Sequence, residues 1–166
     1  MGRLAQTFAG LQIMDMIPYA MKTELTLNPS TSATAFPNAD LLNTGDKPFA
    51  VHRVIPRIIA LDTNGLVLAT QPDLETREAL VSVSFMVTGV NQPMTKEDNP
   101  IYIGNLVGGS TSERYWRLEE PIVMPNANGI NAKATVSAFP AGVTYTTLRV
   151  TLVLEGYILV VAPPKG

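Results

Sequence analysis

The sequence predicts an all-β fold, an antiparallel β-sandwich or jelly roll preceded by an extended N-terminal arm. Three observations predict it. The run "ALVSVSFMVTGV" alternates strictly, with Val81, Val83, Phe85 and Val87 on one face and Ser82, Ser84 and Thr88 on the other, the signature of a half-buried antiparallel strand. A longer run, "YTTLRVTLVLEGYILVV", alternates over more residues. Turn signals recur between the runs, in a chain with 13 prolines and 12 glycines. Seven or eight strands in about 115 residues suit a sandwich or jelly roll.

The elements follow in order. Residues 1–47 read as the arm. Leu4, Phe8 and Leu11 could share one face of a short helix, although Gly10 opposes it. The following "TELTLNPSTSATAFPNADLLNTGDK" is rich in Thr, Ser, Asn and Pro with no sustained period. Such a segment becomes ordered by lying along another surface. Residues 48–166 form the sandwich domain. Within it, "RIIALDTNGLVLAT" reads as a hairpin in which Asn64-Gly65 supplies a type I′ turn. "PDLETREAL" is compatible with one helical turn, and "NAKATVSAF" is a strand facing inward through Ala132, Ala134 and Val136. The final strand turns Leu148, Val150, Leu152, Leu154, Ile158 and Val160 inward and Thr147, Arg149, Thr151 and Glu155 outward. Gly156 interrupts it and marks a bulge or a close backbone approach.

Composition narrows the function. Without cysteine, disulfides and Cys-based zinc or iron–sulfur sites are excluded. A net charge of -2 offers no basic field for nucleic acid and no polybasic membrane patch. Only 16% of residues are charged, against roughly 25% in an ordinary soluble domain, which a subunit of a permanent assembly tolerates. Gln12 and Asp15 break any signal-peptide core, and "LVLEGYILVVA" falls short of the ~20 apolar residues of a membrane span. The expected product is soluble and made in a cytoplasm.

Candidate chemistry is sparse. His52, the one histidine, sits in "PFAVHRV" between Val51 and Val54 with no G-x-S-x-G elbow in the chain; it reads as a structural strand residue. Glu119 and Glu120 are adjacent, so a strand would point them to opposite faces, poorly placed to flank one glycosidic bond. "GNLVGGSTSERYWRL" lacks the Gly-Lys-Ser/Thr of a phosphate-binding loop. No catalytic residue, metal ligand or cofactor site is expected. Contact candidates are Tyr115 and Trp116, one of which alternation turns outward. The arm adds Phe8, Leu11, Met14, Met16, Ile17, Tyr19, Met21 and Phe36, with the methionines suited to irregular partner surfaces.

The polar arm, "DKPFAVHRVIPRIIALD", the "TSERYW" element (Thr111 to Trp116) and "AFPAG" before a long last strand follow in an order that, over residues 40–160, resembles the cement, or decoration, proteins of tailed bacteriophages. The resemblance implies a non-enzymatic jelly roll on the capsid exterior that clamps major capsid protein subunits, often as a dimer or trimer, with terminal arms adding contacts. In that setting Arg53 and Arg57 orient a loop or meet a capsid carboxylate. Two alternatives stay open: a carbohydrate-binding or adhesive sandwich of a phage particle using Tyr115 or Trp116, and a hydrolase built around His52.

Overall fold

The computed structural model describes residues 6–8, 11–28, 34–35, 39–42, 47–87, 92–93, 101–107, 114–124 and 129–162. In chain order these form β1 (Gln6–Phe8), β2 (Leu11–Leu27), β3 (Thr34–Ala35), β4 (Ala39–Leu42), β5 (Phe49–Leu61), α1 (Leu74–Leu80) and β6 (Val81–Val87). Then come β7 (Gln92–Pro93), β8 (Ile101–Tyr102), α2 (Ile103–Leu106), β9 (Trp116–Met124), β10 (Gly129–Val136) and β11 (Thr147–Val161). One antiparallel sheet runs β1-β2-β11-β5-β9; the other runs β3-β10-β6-β7, with β4 also on β10 and β8 on β6. The all-β sandwich expected from the sequence is the fold observed.

Alternation places the core between the sheets. Leu148, Val150, Leu152 and Leu154 of β11 have no exposed surface, flanked by Leu25 and Leu27 of β2 and by Val54, Ile58 and Ala60 of β5. Val81, Val83 and Phe85 of β6 and Ala132, Ala134 and Val136 of β10 supply the facing layer. Leu152→Ala should therefore cost about 2–5 kcal/mol, the range for a truncated core leucine. Thr151 lies half-buried on the opposite face, and Thr151→Ala should cost under about 1 kcal/mol. Urea midpoints measure both, and equal losses would mean that the strand is buried on both sides.

Several expectations are corrected. The boundary at residue 47 does not separate an arm from a sandwich. β2 pairs with β11 from Leu27↔Leu148 to Ile13↔Val161, and residues 34–35 and 39–42 pair with β10. The reason is visible in "YAMKTELTL": Met21, Leu25 and Leu27 are buried while Ala20, Lys22, Glu24 and Thr26 are exposed, a period of two that the polar composition disguises. The helical reading of Phe8 and Leu11 fails likewise, since these residues pair across the β1–β2 connection.

At the hairpin, Gly65 alone takes positive φ, at 76°. Gly65 N–H donates to Asp62 O (3.0 Å), and Asp62 N–H donates to Leu66 O (2.9 Å). The Asp62 carboxylate accepts from the Asn64 and Leu66 N–H groups. This is a three-residue loop closed by a bulge glycine, not a two-residue type I′ turn. Its second arm is a single bridge, Leu61↔Val67.

Beyond Gly156 in β11, Ile158 packs partly buried against the core and Val160 is half-buried, while Leu159 on the opposite face is buried as well. Leu159 N–H donates to Pro48 O at 2.8 Å.

Open sheet edges are handled in several ways. β5 continues past β9, whose pairing with it stops at Val54↔Trp116. There the Gln71 side chain both accepts from Ala60 N–H (2.7 Å) and donates to Ala60 O (2.9 Å), while Arg77 donates to Ile58 O. Pro56, of the same parity, can sit in this stretch because its missing N–H faces the unpaired side. Gln71→Ala would leave the buried Ala60 N–H without its partner, Ala60 O keeping the Leu68 N–H at 3.3 Å, and should cost about 1–3 kcal/mol, where an exposed Gln→Ala costs almost nothing; thermal denaturation checks it.

Candidate functional site

His52 sits on a bulge that the sequence only half announces. In the β5–β11 ladder Val51 pairs Gly156 and Arg53 pairs Glu155, so His52 is the extra residue. In the β5–β9 ladder Val51 pairs Ile122 and Arg53 pairs Arg117. His52 is skipped again, and residues 118–121 of β9 have no partner on β5. The bulge works because position 156 has no side chain: a Cβ there would lie 1.9 Å from Ala50 O and 2.8 Å from Ala50 C. The strand backbones approach so closely that only glycine fits, as the sequence position of Gly156 suggested.

The bulge gathers polar and aromatic groups on one face. The His52 ring stacks on Tyr157, with centroids 5.4 Å apart and an interplanar angle of 21°. Arg53 pairs with Glu155, and its guanidinium lies 5.3 Å from the Tyr115 ring centroid. An open depression of about 450 Å³ lies over them, lined by Pro18, Tyr19 and Ala20 with His52, Arg53, Glu155, Gly156 and Tyr157. Proton transfer would need His52 hydrogen-bonded to a nucleophile or an orienting carboxylate. Its Nδ1 is buried without a partner among the described residues, and Glu155 engages Arg53. Among the described residues no group of three or more His, Asp or Glu could hold a metal. The arrangement fixes a bulge and a stacked ring pair.

The arm candidates divide by position. Met21 is core, 7% exposed, and Tyr19 packs edge-on against Phe49 at 5.8 Å. Met14, Met16 and Ile17 are 56%, 43% and 44% exposed. Ile17 has the parity of Met21 and Leu25 and so lies on the core-side face, where it stays exposed while Tyr19 and Ile158 beside it pack partly buried against the core. Met16 pairs Leu159, Ile17 pairs Ile158, and Pro18 pairs the exposed Tyr157. Met14, Met16, Ile17 and Tyr157 thus leave exposed apolar surface at this end of β2, around the buried Leu159. Phe8 and Leu11 belong to β1 and β2 beside it; Phe36 lies outside the described residues.

Neither aromatic candidate is a free platform. Trp116 is half-buried against the core, its ring 6.0 Å from Phe85, and Arg53 covers Tyr115. Sequence reasoning missed the Gln71 and Arg77 caps and a buried ion pair between Glu78 of α1 and Arg114. No family model, curated protein or solved structure matches this chain.

Proposed function

We propose that this chain is a structural virion subunit. It attaches to the outer surface of a tailed-phage capsid and stabilises contacts between major capsid protein subunits. The observation that carries the reading is the apolar surface at the end of β2, where Met14, Met16, Ile17 and, on the paired strand, Tyr157 stand exposed. Apolar patches of this kind mark association surfaces, and methionines adapt to irregular ones. A rigid two-sheet body behind the patch suits a clamp, and the role requires no chemical step, cofactor, nucleic acid or membrane. The order of segments that resembles cement proteins supports the choice of partner.

The test is sedimentation of the purified chain with phage heads assembled from a genome in which its gene is deleted. Binding in a fixed ratio to major capsid protein is expected, along with raised resistance of the heads to heat. Met14→Ser/Met16→Ser/Ile17→Ser should fold normally and bind weakly. Heads that neither bind the wild-type chain nor gain stability from it would overturn the proposal.

A further inference from the structure

We propose that the outer edge of β2 pairs antiparallel with the same strand of a second copy of this chain, about a two-fold axis at Thr23. This inference does not rest on the capsid reading.

β2 is the anomalous edge. The edge strands of the second sheet have two to four residues each, β3, β4, β7 and β8. β9 loses its register with β5 over residues 118–121, including Pro121, and the open stretch of β5 is capped by Gln71 and Arg77. Short strands, bulges, prolines and covering groups are how native sheets blunt their edges. From Asp15 to Leu27, by contrast, β2 keeps unbroken register with β11, and among the described residues only β1 pairs with its other side, at Leu11 to Ile13, while β4 lies near β2 without pairing to it.

Pro18 tells which backbone groups face that open side. It pairs Tyr157 within the unbroken ladder, which a residue without an N–H can do only if its nitrogen points away from β11. Alternation then turns the N–H and C=O groups of Ala20, Lys22, Glu24 and Thr26 to the free edge. All four residues are exposed.

Charge selects the occupant and the register. An axis at Thr23 sets Lys22 opposite Glu24 of the partner subunit and Ala20 opposite Thr26 of the partner subunit, twice each, with edge-facing backbone groups meeting edge-facing groups. Moving the axis to Lys22 or to Glu24 puts like charges opposite one another, which is unfavourable in an antiparallel pair. Within one copy Lys22 Nζ is 3.1 Å from Glu24, and Arg149 Nε lies 4.0 Å from the same carboxylate, so the cluster already has the geometry to be shared. The pairing is isologous and uses both open edges, so it closes at a dimer.

Sedimentation equilibrium of the full chain tests this. A concentration-dependent dimer of twice the chain mass is expected. Lys22→Pro, which removes an edge-facing N–H and no β11 bond, should give a folded monomer by circular dichroism. Lys22→Glu should raise the dimer dissociation constant roughly tenfold at low salt, and Lys22→Glu/Glu24→Lys should restore it. A wild-type chain that stays monomeric or forms a trimer overturns the proposal. So does a dimer indifferent to both the Lys22→Glu change and its charge-swapped rescue. Should Lys22→Pro unfold, the edge assignment itself is wrong.

Discussion

Gly156→Ala is expected to be the most damaging small substitution in the chain, costing more than about 3 kcal/mol, beyond the usual 1–3 kcal/mol of an overpacked site. The atom a new Cβ meets is the backbone carbonyl of Ala50 at 1.9 Å, on a strand paired with β11 on one side and β9 on the other. No side chain can rotate away to relieve it. The ladder must open by more than an ångström, and the His52–Tyr157 stack and Arg53–Glu155 pair go with it. Gly65→Ala is the control: its Cβ would meet nothing within 4 Å, and only its φ of 76° resists, which should cost about 1–2 kcal/mol. Urea midpoints of the two variants separate contact from conformation. A Gly156→Ala protein with wild-type stability would mean that the strands are not so closely apposed.

Removing one member of the Glu78–Arg114 pair should cost about 3–5 kcal/mol, because the remaining charge would be buried without its counter-charge. The Glu78 side chain is 3% exposed and that of Arg114 is 18%. Two hydrogen bonds join them, the Arg114 Nε bond to Glu78 at 2.9 Å and a second from the guanidinium Nη2. The pair ties α1 to the segment entering β9. Arg114→Met should therefore lower the denaturation midpoint sharply, whereas Glu78→Leu/Arg114→Met should recover most of the loss. A double variant no better than the single would show that the loss comes from packing around the arginine stem.

These two effects differ in how far the sequence announces them. Gly156 interrupts an alternating run, so a close approach was legible, although its partner on β5 was not. Glu78 stands in "PDLETREAL" among other charged residues, and nothing local distinguishes a buried glutamate from a solvated one; only the fold brings Arg114 beneath it. Strands with one buried face were the most legible parts, since Val81–Phe85 and Leu148–Leu154 write their burial as a period of two. β2 writes the same period through Met21, Leu25 and Leu27, but Thr23 and the polar stretch after Leu27 weaken it. Composition over 40 residues outweighed periodicity over nine. The apolar end at Met14, Met16 and Ile17 was legible as a set of contact candidates. That these side chains stay exposed beside the buried Leu159 and Phe49 depends on tertiary packing that no local pattern encodes.

Attachment through that end and self-pairing along the edge both require β2 to be a fixed edge strand of the free subunit. Residue-resolved amide hydrogen exchange on the dilute chain tests this directly. Tyr19, Met21, Thr23, Leu25 and Leu27, whose N–H groups face β11, should exchange slowly. Ala20, Lys22, Glu24 and Thr26 should exchange fast until the concentration rises. Uniformly fast exchange from residue 15 to 27 would contradict the account and return this segment to a loose arm.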